Sequence, residues 1–495
     1  MRLFYRMTGM RDRRAPAAWL LAVLLAGCGP MAGHRGATVM FASGADLQSI
    51  NPLVTLHPLS RQVQRYVLFT TLVRYDSLMH VEPYLARRWD WSADRRTLTL
   101  HLVSDLRWHD GQPTTARDVR WTLDAARDSA TGYPRYGDLK DLAAVLAPDD
   151  TTVELRFREP PAGVPDVLTD LAILPEHLLA RVPHAALRQA AFNEHPVGNG
   201  PFRFQSHEAN RRWVFVRNPG FPQDLGGPPA LERFIVVVVD EPATKLAALT
   251  SGELDFAGIQ PAHADFVRRN PELEVRTYPL LFTYGIVFNT RHPPFSDLVT
   301  RRRLATALDR REIVDGYLFG FGTPAWGPVP PELPGAAQVA AGGRETRDSG
   351  RGFRDSSPVP RAPRLSFDLL TVGSGEAALE QLIQAQLASR GFDVHIRQLE
   401  LSAFLDRVYG PAHDFDAAVL GIPGDPGLGY LGPLLALSGL APVSDPVLAQ
   451  HIFHDSMPVA FLYHARGVQG MNRRVEHVRM DLRGELPTVA RWSVR

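Results

Sequence analysis

A single cysteine, Cys28, is present in a chain of 495 residues. One thiol closes no internal disulfide and offers no ligand cluster to zinc or iron–sulfur, so buried apolar surface must hold whatever this chain folds into. The means are there. Hydrophobic residues make up 45% of the chain and charged ones 22%, the balance of a globular protein with about two to four folding units. The formal net charge is +1, from 54 basic and 53 acidic side chains, so nothing global draws the protein to nucleic acid. Lys140 and Lys245 are the only lysines; the remaining positive charge is arginine.

The position of the cysteine says more than its number. Arg2, Arg6, Arg11, Arg13 and Arg14 precede an uncharged run at 15–30 whose apolar centre, WLLAVLL, occupies 19–25. Basic, then short and apolar, then small: this order predicts a secretory signal peptide over 1–27, too short for a comfortable membrane span. It ends in Leu25-Ala26-Gly27-Cys28, which resembles the bacterial lipoprotein box. That resemblance implies lipidation at Cys28, a flexible tether over 28–37, and a lipid bilayer as partner. The protein would then sit in the cell envelope, lipid-anchored on a periplasmic or extracellular face.

Beyond the tether the pattern is mixed α/β. Residues 38–42 predict a strand stopped by Ser43-Gly44, and Val63, Val67, Leu68 and Leu72 predict one helix within 61–75. Period-two alternation marks strands at 97–102 and 152–157, with a turn at Trp108-His109-Asp110-Gly111 and a capped helix start at Thr115 and Asp118 between them. Strands follow at 213–217 and 234–239, a helix opened by Asp240-Glu241-Pro242, a strand at 283–289 and one helical stretch over 298–318. The Pro-, Gly- and Arg-rich segment 331–363 reads as a loop. A strand–helix–strand unit spans 365–399, with Gly391 as the helix stop.

No motif carries catalysis. Gly373-Ser374-Gly375 lacks the further residues of a nucleotide loop and reads as a turn, and neither Ser374 nor Ser251 sits in a hydrolase elbow. His451, His454 and His464 come closest to a cluster, but without metal spacing they read as solvated or core histidines. The basic run Arg301-Arg302-Arg303 with Arg310 and Arg311 lies beside Asp297, Asp309 and Glu312, a screened helix face. No catalytic residue, metal ligand or cofactor is predicted, and an exported two-lobed α/β protein without such machinery is read as a binder.

A series of segments, in order, resembles the peptide/nickel (family 5) extracytoplasmic solute-binding proteins of ABC importers, the oligopeptide- and dipeptide-binding type. They are 82–89 (EPYLARRW), 92–102 (SADRRTLTLHL), 106–119 (LRWHDGQPTTARDV), 196–202 (PVGNGPF), 251–255 (SGELD), 293–297 (PPFSD), 302–310 (RRLATALDR) and 320–328 (GFGTPAWGP), with an echo at 455–463. The resemblance implies a two-lobed periplasmic-binding-protein fold, type II-like. Lobe I would be 38–278 with an extra subdomain at 80–195, lobe II 279–459, and 460–495 a C-terminal return to lobe I. The chain would cross between lobes near 278–284 and 458–463. It also implies a peptide or small-molecule ligand held between the lobes, ABC permease partners and a monomer. Asp425 takes the place of the lobe II aspartate that meets a peptide's ammonium, although Ile422-Pro423 stand where relatives carry tryptophan and an acid. Tyr284, Trp326 and Ser43 are the further ligand contacts. Fewer than 30 residues separate Gly427 from Asp455, which predicts a shortened lobe II. A non-transport envelope lipoprotein of the same fold, sensor or structural, is the alternative.

Overall fold

The computed structural model describes residues 36–55, 57–333, 364–373, 377–426, 428–443 and 446–495. Cys28 with the predicted signal peptide, most of the predicted 331–363 loop, and Ser374-Gly375 lie outside the described residues. One sheet of eleven strands organises the rest. In chain order they are β1 (Thr38–Ser43), β2 (Phe202–Glu208), β3 (Arg212–Arg217), β4 (Arg233–Val238), β5 (Phe256–Gly258), β6 (Leu273–Phe288), β7 (Gly322–Pro324), β8 (Leu365–Val372), β9 (Phe392–Leu399), β10 (Ala417–Pro423) and β11 (Val459–Asn472). Across the sheet the order is β9-β8-β10-β6-β11-β5-β1-β4-β3-β2, with β7 paired to the middle of β11 at Tyr463–Ala465.

Two lobes share this sheet. The first is built on β1, β4 and β5, whose Phe41, Phe234 and Phe256 are almost fully buried. Trp492 from the chain's end stacks on Phe256 at 4.7 Å and locks the C-terminal segment onto this core. Asp255, fully buried, ties the same elements together by accepting from Met40 N–H and pairing with Arg474 at 2.7 Å. A separate four-stranded sheet, Ala86–Trp91, Thr97–Leu102, Leu142–Leu146 and Thr152–Phe157, packs with the helix Ala116–Ala126 into the same continuous core. That helix starts as its sequence predicts: Thr115 and Asp118 form a capping box, and Asp118 also takes the indole N–H of buried Trp108.

The second lobe places β8, β10 and the far half of β6 between two apolar layers. Alternation divides them, since Phe288, Leu369 and Val419 face one layer while Val287, Leu370 and Leu420 face the other. The strand–helix–strand unit over 365–399 is parallel, and Gly391 ends its helix at φ +83°.

Three local expectations are corrected. The helix predicted within 61–75 stops at Leu68 after a π-helical turn, and the chain extends from Phe69. Tertiary partners take over there: Leu68 O accepts from Gly200 N–H, and Thr70 N–H donates to Asn199 Oδ1. The helical stretch 298–318 is two helices, Leu298–Ala307 and Arg310–Tyr317, because Leu308 is extended and Asp309 caps the second. The strand at 283–289 is only the end of the sixteen-residue β6.

Candidate functional site

Two strands belong to both lobes. β6 and β11 run antiparallel, packing Leu273 and Met471 into the first lobe and Ile286, Phe288, Ala460 and Leu462 into the second. Their register slips between the pairs Pro279–Arg466 and Thr283–His464, leaving three residues of β6 opposite one of β11. A bulge of this kind bends a ladder and loosens its pairing, and here it falls where the chain passes from one lobe to the other. The first crossing therefore lies at 279–283, but the second lies opposite it at 464–466. Tyr463 and the residues before it still pack in the second core, so the return to the first lobe begins a few residues later than 460. Just beyond, Gly467 lets the Tyr278 ring lie flat on β11: a Cβ there would meet the ring at 2.1 Å. The Tyr278 hydroxyl continues to Glu485 at 2.6 Å.

A cavity of about 390 Å³ opens between the lobes. Pro261, Ala264, Asp265 and Arg268 line it from the first lobe, and Asp315, Phe319 and Phe321 from the second. The Arg268 guanidinium stands 5.4 Å from the Phe321 ring centroid, a cation–π contact that bridges the two sides.

The predicted ligand residues lie around the lobe crossing without forming one cluster. Ser43 ends β1, is 4% exposed, and has its hydroxyl engaged within its own turn, donating to Ala45 O at 2.5 Å. The Lys245 ammonium lies beside the next residue, Gly44. Tyr284 stacks on Tyr463 with ring centroids 4.8 Å apart, and the pair packs against the second core. Burial pushes the Tyr284 phenol above its ordinary range, and the nearby Tyr317 and Glu380 act in the same direction. Trp326 is 67% exposed, an uncommon position for so large a ring. It is held from beneath by Arg310, whose guanidinium carbon is 4.2 Å from the ring centroid. Arg310 is itself buried, and its N–H groups donate to the carbonyls of Ala325, Phe461, Ala305 and Leu308. Burial lowers its pKa to about 10, which leaves it charged at neutral pH.

Asp425 follows β10, where Gly424 N–H donates to Leu281 O in the bulge. Its carboxylate accepts from the N–H groups of Gly429 and Tyr430, both at 3.1 Å, and Tyr430 in turn donates its hydroxyl to Pro328 O. Burial raises the Asp425 pKa above the usual carboxylate range. The charge of Asp166 from the first lobe adds to this, while Arg135 and the two N–H groups oppose it. Asp425 is thus a carboxylate of the second lobe that feels the charges of the first.

Those first-lobe charges form a network absent from the sequence reading. Asp170, nearly buried, pairs with Arg61, Arg65 and Arg135 at 2.6, 2.6 and 3.2 Å, and Arg135 reaches Asp166 at 2.8 Å. The i,i+4 spacings of Arg61 with Arg65 and of Asp166 with Asp170 were the available signal; their pairing over more than a hundred residues was not. Among the described residues no group of three or more His, Cys, Asp or Glu side chains is placed to hold a metal ion. His464 is buried in the sheet, whereas His451 and His454 are exposed on the helix Pro446–Ser456.

The family model for bacterial extracellular solute-binding proteins, family 5 (middle), matches residues 80–438. The chain belongs to this family. Among the relatives of this family 5 protein, a Brucella ovis protein named for ABC transporter peptide binding is 32% identical over 259 residues, 52% of this chain and 48% of that one. The chain thus aligns with about half the length of such curated relatives. The oligopeptide-binding protein AppA of Bacillus subtilis is 25% identical over 409 residues, 78% of this chain and 74% of its own. Solved structures share the fold. AppA of B. subtilis with a nonapeptide has a TM-score of 0.71 at 21% identity, over 92% of this chain and 99% of that one. The substrate-binding protein CtaP of Listeria monocytogenes has a TM-score of 0.76 at 19% identity, over 93% and 99%. The family 5 fold is therefore two-lobed mixed α/β, as the resemblance implied.

Proposed function

We propose that this protein captures a peptide or similar small solute between its lobes and delivers it to an ABC importer, held at the membrane surface by a lipid on Cys28. Family membership supports the solute-binding part of this reading, and relatives named for peptide binding favour a peptide. The observation that carries it is the crossing: two strands shared by both lobes, bulged between them, with a cavity lined from both sides. Ligand contacts made to both lobes at once exist in one arrangement only, so binding shifts the population toward it.

Asp425 is the proposed partner of the solute's ammonium. A carboxylate held above its usual range by burial and by a neighbouring acid is relieved by an arriving cation. The exposed Trp326 offers a platform for an apolar side chain, with Tyr284 and Ser43 as the remaining proposed contacts. The test is a thermal-shift screen across a peptide library, since a ligand at a hundred times its Kd adds about 2.7 kcal/mol to stability. Free-amine peptides should raise Tm, N-acetylated ones less, and Asp425→Ala should remove the difference. No shift with any peptide, sugar or metal chelate would select the second reading, a non-transport envelope lipoprotein. That reading is favoured by one feature: Ser43 and Asp425 both have polar atoms engaged in their own turns.

A further inference from the structure

Away from the lobe crossing, a second cavity of about 250 Å³ lies wholly within the first lobe. Its walls come from the π-helical turn Gln64–Leu68, the hairpin Val73–Tyr75 with Val81–Pro83, and the C-terminal stretch 479–491. Five arginines line it, Arg65, Arg74, Arg479, Arg483 and Arg491, against two carboxylates, Asp76 and Glu82. In a chain with a net charge of +1 this is a local concentration of one sign.

Three of the five guanidiniums have carboxylate partners. Arg65 pairs with Asp170, Arg74 with Glu82 at 2.7 Å, and Arg483 with Asp481 at 2.7 Å. Asp76 is turned back on its own hairpin, accepting from the N–H groups of Leu78 and His80. Arg479 and Arg491 form no ion pair among the described residues, and both are exposed at the rim. Deeper in, Arg65 Nε is buried without an acceptor. An unmatched buried donor is uncommon in a finished structure and marks a place where a partner is missing. Aromatic rings complete the lining: Tyr66 lies 5.0 Å from the Arg65 guanidinium, and Tyr84, 8% exposed, lies 4.6 Å from that of Arg74.

We infer that this arginine-lined cavity is a binding site for an anion carrying a phosphate group, separate from the solute site between the lobes. Guanidinium forks match the oxygens of a phosphate in geometry as well as charge. A phosphate monoester brings about −1.5 to −2 charges at pH 7, enough to neutralise both unpaired arginines, which one carboxylate is not. A free phosphate monoester and the phosphomonoester headgroup of phosphatidic acid share this chemistry.

The test is calorimetric titration of the purified protein with inorganic phosphate and with glycerol phosphate, alongside flotation with phosphatidylcholine vesicles with and without phosphatidic acid. Arg479→Gln combined with Arg491→Gln removes the two unpaired charges from exposed positions, and circular dichroism checks that the variant is folded. Arg211→Gln with Arg212→Gln removes equal charge elsewhere on the first lobe. Saturable binding of the soluble probes, weakened about tenfold or more only by the first pair, supports the site with a free phosphate compound as its ligand. Binding confined to the phosphatidic acid vesicles, with the same dependence on Arg479 and Arg491, supports it with a lipid headgroup. The inference is overturned if neither probe binds, or if both double variants weaken binding equally.

Discussion

His464 stands at the crossing of the lobes, 6% exposed, with Nδ1 2.8 Å from the Thr283 hydroxyl oxygen. Burial lowers its pKa from 6.5 to about 4. Between those two values the unfolded chain binds a proton that the folded one refuses, so stability falls as pH drops from 6.5 and levels off below about 4. The loss is on the order of 3 kcal/mol. Urea unfolding at pH 7 and 4.5 should show it, and His464→Gln should flatten the slope; an unchanged slope would mean that His464 is not the group. Part of the slope should persist, because His109 is also lowered to about 4 by burial. Its ring is fixed by neighbours rather than exposed to solute: Nδ1 accepts from Gly198 N–H, so Nε2 carries the proton toward Gly200 O at 3.0 Å. Gly198 has no room for a side chain, since a Cβ would come within 2.0 Å of Leu68 O. The turn at Trp108 to Gly111 was legible because its chemistry is local. Its docking on Gly198 and Gly200 was not, because the partner is ninety residues away.

At the scale of elements, Asp170 fastens the helical segment Pro58–Leu68 to the rest of the first lobe through Arg61 and Arg65, with Arg135 as its third partner. Burial alone would raise its pKa, yet Arg61, Arg65 and Arg135 outweigh this and hold it at about 2. The stabilisation is fully present above the ordinary value of 3.8 and is lost as pH falls through about 2. Asp170→Asn should cost about 3 kcal/mol at neutral pH, because it leaves three partly buried guanidiniums without the carboxylate charge they share. Urea midpoints at pH 7 measure the cost, and the variant should lack the wild-type loss of stability between pH 4 and 2. A neutral substitution would show that the arginines are satisfied by Asp166, by Asp138, which pairs with Arg135 at 2.6 Å, and by water. Elements with a regular period were legible in the sequence: the strands β1, β4 and β8 and the capped helix at Thr115 form where predicted. β6 was not, because its first half reads LEVRTYP, with charges on alternate positions and a proline before the bulge. Such a strand is defined by its partner β11 and not by its own pattern.

For the molecule as a whole, the resemblance conveyed two lobes, and what it left open is the balance between their arrangements. The crossing strands supply the bend, but the contact that spans the cavity is Arg268 on Phe321. A cation–π pair at such a site is worth about 0.5–1 kcal/mol, a two- to fivefold change in the ratio of two populations at about 0.6 kcal/mol of thermal energy. Phe321→Ala removes the ring without unpairing Arg268, which keeps Asp265 at 2.9 Å. The ligand-free variant should therefore scatter X-rays with a larger radius of gyration than the wild type, while a saturating solute should bring both to the same compact value. The apparent affinity should fall by the same two- to fivefold factor, because the solute must now draw its binding form from a smaller fraction. Equal radii in the free proteins, with affinity unchanged, would show that the Arg268–Phe321 contact does not bias the lobes and that the bulged strands alone set their balance. A lower affinity without any change in radius would place Phe321 in direct contact with the solute instead.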